Sequence, residues 1–386
     1  MKSRHQSFIL YLLLTLFSIN IYAVGSTTTD GASWWNTDYN TTEGTDFWVT
    51  FIFNYGNTDK DNADLKLKLV ATSRANANVR ILYTDGTSET FRIAANKRAI
   101  YGINLSKGYV MSEQKIENKG IHITSDVPIS IYAVSQNETA GSQDGTAVLP
   151  TTALQREYVI PTYGTDGIST EFAIIATRDN TVITDFVIKK THNRNPALSI
   201  DTTIRSLTLN AGDAYLYRSN DANVSLSGTK ICSSEPIAVF SGGQHADIPQ
   251  GTPNRNHIYS QIAPTDYWGN TYVCTNTSHQ QVDYLRFTAL KDNTTISNSN
   301  RFTILQSLET YQDTLITPFG STKAEVYSTT EAVEAFLYLT DMNLNMVPEN
   351  NKLSLGSPAM CPITPMEQAM HSVIFSTEVS QVHKVN

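Results

Sequence analysis

The sequence predicts an all-β protein: three tandem antiparallel β-sandwich-like modules of about 100 residues each, closed by an irregular C-terminal segment. Three observations lead there. Phrases recur along the chain roughly 110 residues apart, a spacing of whole domains rather than solenoid units. Apolar positions inside those phrases alternate with period two. Helical periodicity is nearly absent, and 331–339 is the one stretch that reads either way.

The first phrase occurs as "DLKLKLVATSRANANVRI" (64–81), "TEFAIIATRDNTVI" (170–183) and "DYLRFTALKDNTTI" (283–296). Ala71, Ala176 and Ala289 align, with Leu69, Ile174 and Phe287 two residues back and Leu67, Phe172 and Leu285 four back. Apolar residues of one parity in every copy mean one buried strand face, and Lys66 and Lys68 on the other parity predict a wet face in the first copy. Each strand runs into a polar turn holding Asn76, Asn180 or Asn293, residues that tolerate left-handed backbone. Val79, Ile183 and Ile296 then start a returning strand, so the phrase reads as a repeated β-hairpin.

A second phrase pairs "GIHITSDVPISIYAV" (120–134) with "GTKICSSEPIAVFSG" (228–242); "EVYSTTEAVEAFLYL" (325–339) is a degraded third copy with Ala332 in place of proline. Proline lacks an N–H, which suits Pro128 and Pro236 to the first residue of a strand. A third phrase opens the modules: "TDFWVTFIF" (45–53), "LPTTALQREYVIPTY" (149–163) and "APTDYWGNTYVCTN" (263–276). In the first module, strands are expected over 46–54, 65–72, 79–83, 89–94, 98–105, 120–125 and 128–135. The expected organisation is a signal peptide at 1–25, an N-terminal segment at 26–42, and modules at 43–140, 148–247 and 257–345. Residues 346–386, with Pro348, Pro358, Pro362 and Pro365, are expected to pack irregularly on module 3 before a last strand near 372–379.

The first residues, MKSRHQ followed by FILYLLLTLFSINIY and AVGS, have the basic start, short apolar run and small residues of a secretory signal peptide. Its apolar run falls short of the roughly 20 residues a spanning helix needs. Export is expected, to the extracellular space or cell surface, with no membrane span after cleavage. The formal charge is −8, with no basic run, which argues against nucleic acid because phosphate neutralisation needs clustered Lys and Arg. Cys232, Cys274 and Cys361 form no metal-binding spacing; they permit one disulfide and one odd thiol without choosing the pair. No cofactor is expected.

"EGTDFWVTF", "GIHITSDVPISIYA", "LPTTALQREYVIPTY", "STEFAIIATRDNTVI", "LSGTKICSSEPIAVFSG", "APTDYWGNTYV" and "GSPAMCPITPMEQ", in that order, resemble the IgG Fc-binding protein N-terminal domain family over roughly residues 43–377. The resemblance implies an extracellular protein that binds or adheres rather than catalyses. It supplies no agreed binding residues, and Fc binding does not transfer by likeness alone. Many members carry Cys in the loop matching "GGQHADIPQGTPNRNHIY" (242–259), where this chain has none.

Candidate chemistry is sparse. Loop 242–259 holds His245, Asp247, Arg255 and His257 between modules two and three; a junction site is weighed against a polar linker whose imidazoles hydrogen-bond locally. "FSGG" (240–243) places Val239 where a nucleophile elbow needs glycine. "NTDKDNAD" (57–64) offers Asn57, Asp59, Asp61 and Asp64 as oxygen ligands for Ca²⁺ but lacks the EF-hand glycine and terminal glutamate, and an exposed loop explains it as well. Trp48 and Trp268 read as core anchors, while Trp34 and Trp35 either pack back or offer an apolar patch to a partner. Sequons at Asn40, Asn104, Asn137, Asn223, Asn276 and Asn293 are glycosylation candidates.

The expected function is a secreted or cell-surface, non-enzymatic binding or adhesion protein for an extracellular protein or mucin-like glycoconjugate. The alternatives are a carbohydrate-active enzyme or polysaccharide-binding accessory module, which needs two facing carboxylates, and a structural matrix or surface element.

Overall fold

A computed structural model describes residues 42–55, 64–165, 167–184, 186–193, 201–204, 206–219, 221–251, 255–275, 282–316, 323–340 and 359–366. These residues belong to one unit, Asn40–Asn386. Module 1 comprises β1 (Gly44–Val49), β2 (Leu65–Ser73), β3 (Ala77–Tyr83), β4 (Ser88–Ile93), β5 (Lys97–Ile103), the short β6 (Ile116–Glu117), β7 (Ile121–Asn137) and β8 (Ser142–Val148). Module 2 follows with β9 (Glu157–Ile160), β10 (Thr170–Ala176), β11 (Thr181–Ile183), β12 (Phe186–Ile188), β13 (Thr191–His192), β14 (Thr202–Ile204), β15 (Leu207–Leu209), β16 (Ala214–Arg218), β17 (Val224–Ser225), β18 (Thr229–Cys232), β19 (Ile237–Ala246) and β20 (Asn256–Gln261). Module 3 has β21 (Gly269–Thr275), β22 (Val282–Ala289), β23 (Thr294–Ser297), β24 (Phe302–Leu305), β25 (Thr310–Ile316), β26 (Ala324–Leu339) and β27 (Ala359–Pro362).

Modules 1 and 3 share one topology. The order β4-β3-β7-β2-β5, with β1 and β8 also on β7, reappears as β24-β23-β26-β22-β25, with β21 and β27 on β26. In module 2 the long central strand is divided into β18, paired with β9, and β19, which lies between β10 and β20. The ambiguous stretch 331–339 is therefore strand throughout, inside β26. Pairing also carries Ser142–Val148 onto β7 and Asn256–Gln261 onto β19, past the expected ends at 140 and 247.

The hairpin reading of the first phrase is corrected. β2 and β3 do not pair with each other; β2 pairs with Ser130–Asn137 of β7 and β3 with Ile121–Ser125. β22 and β23 divide β26 in the same way. The unit is an arch: the chain crosses from one end of a long strand to the other, and both limbs bury their apolar parity inward. The turn chemistry stands, since Asn180 and Asn293 adopt left-handed backbone at φ 55° and 59°. In both, a threonine hydroxyl following the turn caps it, from Thr181 to Arg178 O and from Thr294 to Lys291 O, each at 2.7 Å.

The second phrase encodes the bend of the long strand. Ser125 donates to Val127 O, Ser233 to Glu235 O and Thr329 to Glu331 O, each at 2.7 Å. This bond draws the backbone into a local turn that competes with the ladder. Pro236 stands directly before β19, as expected of a strand's first residue, whereas Pro128 lies inside β7. The ladder absorbs it there by an irregularity, with Gly44 opposite Ile129 but Asp46 opposite Thr124.

The sheets of modules 2 and 3 each present an outer face to the module before them. Ala173, Ile175, Leu216, Ala238, Phe240 and Tyr259 of module 2 are buried in the core of module 1. Phe336, Tyr338 and Met360 of module 3 are buried in the core of module 2. Burying a large apolar side chain of this kind stabilises by about 1.5–3 kcal/mol, so both junctions act as continuous core. The equivalent face of module 1 carries Lys66 and Lys68, exposed and half-buried, as the alternation predicted.

Candidate functional site

The polar loop expected between modules two and three is strand at both ends. His245 and Ala246 end β19, Asn256 and His257 begin β20, and both strands pack beside module 1. The backbone is drawn in tightly here: a Cβ at Gly242 would stand 1.8 Å from Ile258 O, so only glycine fits.

The two histidines and the aspartate of this stretch separate by burial. His257 is wholly buried, its Nδ1 3.1 Å from Gly243 O and its Nε2 without a partner. Burial drives its pKa down to about 3, so the ring is neutral. Asp247 is also buried; Oδ2 accepts from Gly251 N at 2.7 Å and lies 3.7 Å from Arg255 Nη2, while Oδ1 has no partner. His245 reaches the surface and stacks on Tyr55 of module 1, centroids 3.9 Å apart at 12°. Burial, then the Arg255 charge, lowers its pKa to about 4.

A hydrogen-bond network behind this stack locks the two modules. Asn54 Nδ2 donates to Ser135 Oγ at 3.0 Å, Ser142 Oγ donates to Asn54 Oδ1 at 2.7 Å, and His257 N donates to Ser142 Oγ at 3.0 Å. Asn256 and Gln143 exchange bonds across the junction at 2.7 and 2.6 Å. Tyr259 reaches through it to donate to Thr50 O at 2.6 Å. The outcome is a rigid lip presenting Tyr55, His245 and the half-exposed Arg255: two planar faces and a guanidinium, suited to recognition rather than proton transfer.

The remaining candidates are placed as follows. Trp34, Trp35, Asn40 and Asn276, with Asn57, Asp59 and Asp61 of the acidic loop, lie outside the described residues. Among the described residues no group of three or more His, Cys, Asp or Glu could hold a metal ion. Ser241 of "FSGG" is buried and donates to Pro161 O, a structural bond. Trp48 and Trp268 are buried, and Trp48 stacks on His122 with centroids 4.3 Å apart. Asn104 and Asn293 are exposed and Asn223 is half-buried. Asn137 is buried, its Nδ2 donating to Tyr55 O at 3.0 Å, so its amide is inaccessible in the folded chain. All three cysteines are free thiols, so the disulfide the sequence permitted is not formed.

Buried carboxylates were not legible in the sequence. Glu171 and Glu334 sit on outer sheet faces at β10 and β26, where alternation assigns polar residues to water. The preceding module roofs those faces instead. Neither carboxylate has a hydrogen-bond partner, although the Phe53 backbone N–H approaches Glu171 without reaching hydrogen-bond geometry. Burial raises both pKa values well above the usual range. Arg218 stands beside Glu171, paired with Glu113 and lying 4.1 Å over the Phe53 ring.

No helix among the described residues is long and apolar enough to cross a membrane. A solved structure from work on host-cell-surface retention of a bacterial ice-binding adhesin aligns over 81% of this chain and 93% of that one, at 11% identity and a TM-score of 0.13, too low to inform the fold. The human IgGFc-binding protein is 29% identical over 231 residues, 59% of this chain, and the match spans 4% of that much longer protein. The family model described as IgGFc binding protein matches residues 144–386, from the closing strand of module 1 onward. On that match, covering well over half its length, the chain belongs to the IgGFc-binding protein family.

Proposed function

We propose that the protein is a secreted or cell-surface, non-enzymatic binding protein whose partner is an extracellular protein or a mucin-like glycoconjugate. The observation that carries this reading is the Tyr55–His245 stack, 3.9 Å between centroids, at the lip of a junction fixed by buried hydrogen bonds. A rigid scaffold that holds aromatic faces at its surface recognises partners at low entropic cost. The signal-peptide-like start and the family's name support an extracellular binding role.

The test is a screen of residues 26–386 against a glycan array, purified mucins and IgG Fc fragments, repeated with Tyr55→Ala and His245→Ala. Saturable binding weakened by about tenfold or more in either variant is the expected result, the order of a lost hot-spot contact. Release of reducing sugar ends, abolished by one carboxylate substitution, would instead establish the carbohydrate-active alternative.

A further inference from the structure

The contact that seats module 2 on module 1 is made again between modules 2 and 3. Before β16, Gly212 adopts left-handed backbone at φ 84°, with Gly212 N on Ala176 O at 2.9 Å and Asp213 N on Asn210 O at 2.9 Å. Before β25, Leu308 does the same at φ 63°, with Leu308 N on Ala289 O at 2.8 Å and Glu309 N on Gln306 O at 3.1 Å. Each turn directs its left-handed carbonyl at the preceding module. Gly212 O accepts from Gly120 N at 2.9 Å, and Leu308 O accepts from Lys189 Nζ at 2.8 Å while lying over Gly228.

Gly120 and Gly228 are one position in the repeat, the residue ahead of β7 and of β18. A Cβ at Gly120 would stand 2.7 Å from Gly212 O, and one at Gly228 would stand 2.3 Å from Leu308 O. Backbone cannot yield at such distances, so the seat needs a residue without a side chain. The strand registers identify the third member. Tyr158 faces Ile231 and Ile160 faces Thr229 in module 2; Tyr272 faces Tyr327 and Cys274 faces Glu325 in module 3. The residue matching Gly228 is therefore Ala324, which is exposed.

The surface around Ala324 differs accordingly. In module 1, Trp48 and His122 are cross-strand neighbours beneath the Gly212 turn, and Trp48 is 8% exposed. Their counterparts in module 3, Val273 and Val326, are 39% and 53% exposed, on the sheet face that also carries Phe302 at 74% and Ile304 at 54%. This apolar face is where the turn of a fourth module would sit.

We propose that Ala324 ends the stack, its methyl group occupying the space that a fourth module's turn carbonyl needs. The occupant it excludes is module 1 of a second copy. Among the described residues, the left-handed turn at Asn96, φ 57°, bonded through Asn96 N to Ser73 O at 2.8 Å, is the counterpart turn that no preceding module receives. Continuity with the two existing junctions identifies that turn as the matching part.

Sedimentation velocity of the full chain over about a hundredfold concentration range tests this, since a head-to-tail interface that does not close gives growing assemblies. Ala324→Gly is expected to raise the weight-average sedimentation coefficient above wild type as concentration rises. Ala324→Gly combined with Asn96→Val, which a β-branched residue makes incompatible with left-handed backbone, is expected to return it to the wild-type value. An Ala324→Gly curve that overlays wild type overturns the proposal, as does wild-type assembly that Asn96→Val alone reverses. The seat itself is read by Gly120→Ala against Gly102→Ala, where a Cβ would meet nothing within 4 Å. Trypsin nicking between modules 1 and 2 is expected about tenfold faster in the first variant than in the second, as a local opening would give; equal rates overturn the role of the glycine.

Discussion

Tyr259 N, on the closing strand of module 2, donates to Asp144 Oδ2, on the closing strand of module 1, at 2.9 Å. Gly145 N donates to Oδ1 of the same carboxylate at 2.8 Å, and the Met360 backbone N–H of module 3 is directed at it as well. One buried side chain thus gathers the final strands of all three modules. The backbone donors favour the charged form, but burial is the larger effect and pushes its pKa up to about 8.

The stability of the protein should therefore peak at mildly acid pH. A carboxyl group whose folded pKa is raised, from 3.8 to about 8 for Asp144, contributes stability that is complete below its unfolded value and is lost as pH climbs through the folded value. Glu171 and Glu334 act in the same direction. His257 acts oppositely: lowered from 6.5 to about 3, it contributes above its unfolded value and loses that contribution as pH falls toward the folded one. The contribution of Asp144 declines from about pH 3.8 upward while that of His257 grows up to pH 6.5, so their slopes oppose each other in between; with Glu171 and Glu334 adding a decline from 4.5 upward, the thermal midpoint should be highest near pH 4 to 4.5. Asp144→Asn should make the fall toward alkaline pH shallower, and His257→Asn should make it steeper between about pH 4.5 and 6.5; midpoints measured from about pH 3 to 9 that leave both slopes unchanged in these variants would disprove the assignment.

Arg286 should matter far more than an ordinary surface arginine. Its Nη1 donates to Thr162 O of module 2 at 2.7 Å, its Nε to Gln312 Oε1 at 2.9 Å, and its guanidinium lies 4.0 Å over Tyr163 and 5.4 Å from the Tyr338 ring. Arg286→Ala is expected to cost about 2–4 kcal/mol, combining a charge-assisted bond with a partly desolvated cation–π contact. Arg178→Ala, which removes an exposed pair with Glu235, should stay within about 0.5 kcal/mol. Urea unfolding of both variants checks the contrast.

These predictions divide along the line between local and non-local information. Ala176 and Ala289 mark one buried position in the sequence because a strand face repeats every second residue; the registers place Ser73, two residues beyond Ala71 and of the same parity, at that position in module 1, so the face was legible and the register was not. Asn180 and Asn293 announce their turns through short-range sterics. Strand partners were not legible. Nothing between Ser73 and Ala77 tells the chain to arch across β7 rather than fold back on itself, since both choices bury the same parity. The candidate site was legible only in part, because His245 and His257 lie twelve residues apart on paired strands and the module 1 residue Tyr55 decides which of them meets solvent. Glu171, Glu334 and Asp144 were missed for the same reason: each is buried by another module.

Reducing agent should leave the thermal midpoint unchanged, since the three thiols are free and the fold rests on its cores. Reactivity toward a thiol reagent should be graded. Cys232 is half-exposed, with Sγ 3.8 Å from Glu157 Oε2, and burial followed by the effects of Glu157 holds its pKa above the ordinary value. Cys274 is buried beside Glu325, which raises its thiol further still. Native labelling should modify Cys232 first and slowly, and Cys274 only after denaturant exposes it. Fewer than three thiols in the denatured, unreduced protein would contradict the structure.

Glycan occupancy offers a separate test of which asparagines face solvent. Asn104 is exposed ahead of a short helical turn, its Oδ1 accepting from Ser106 N and Ser106 Oγ at 2.9 Å each. Asn293 is exposed at the tip of its arch. Asn137 instead spends its amide inside the junction, Nδ2 on Tyr55 O and Oδ1 receiving Ala140 N at 3.0 Å. Produced in a host that glycosylates secreted proteins, the folded chain should carry sugar at Asn104 and Asn293 and none at Asn137, as glycopeptide mass spectrometry would show. Asn137→Ala should also loosen Tyr55 and cost about 1–3 kcal/mol through the carbonyl left unpaired, whereas Asn293→Gly, at a left-handed position, should be close to neutral. Sugar at Asn137 in chains that still bury Tyr109 and Ser135 normally would mean that the junction opens far enough for the Tyr55–His245 stack to come apart.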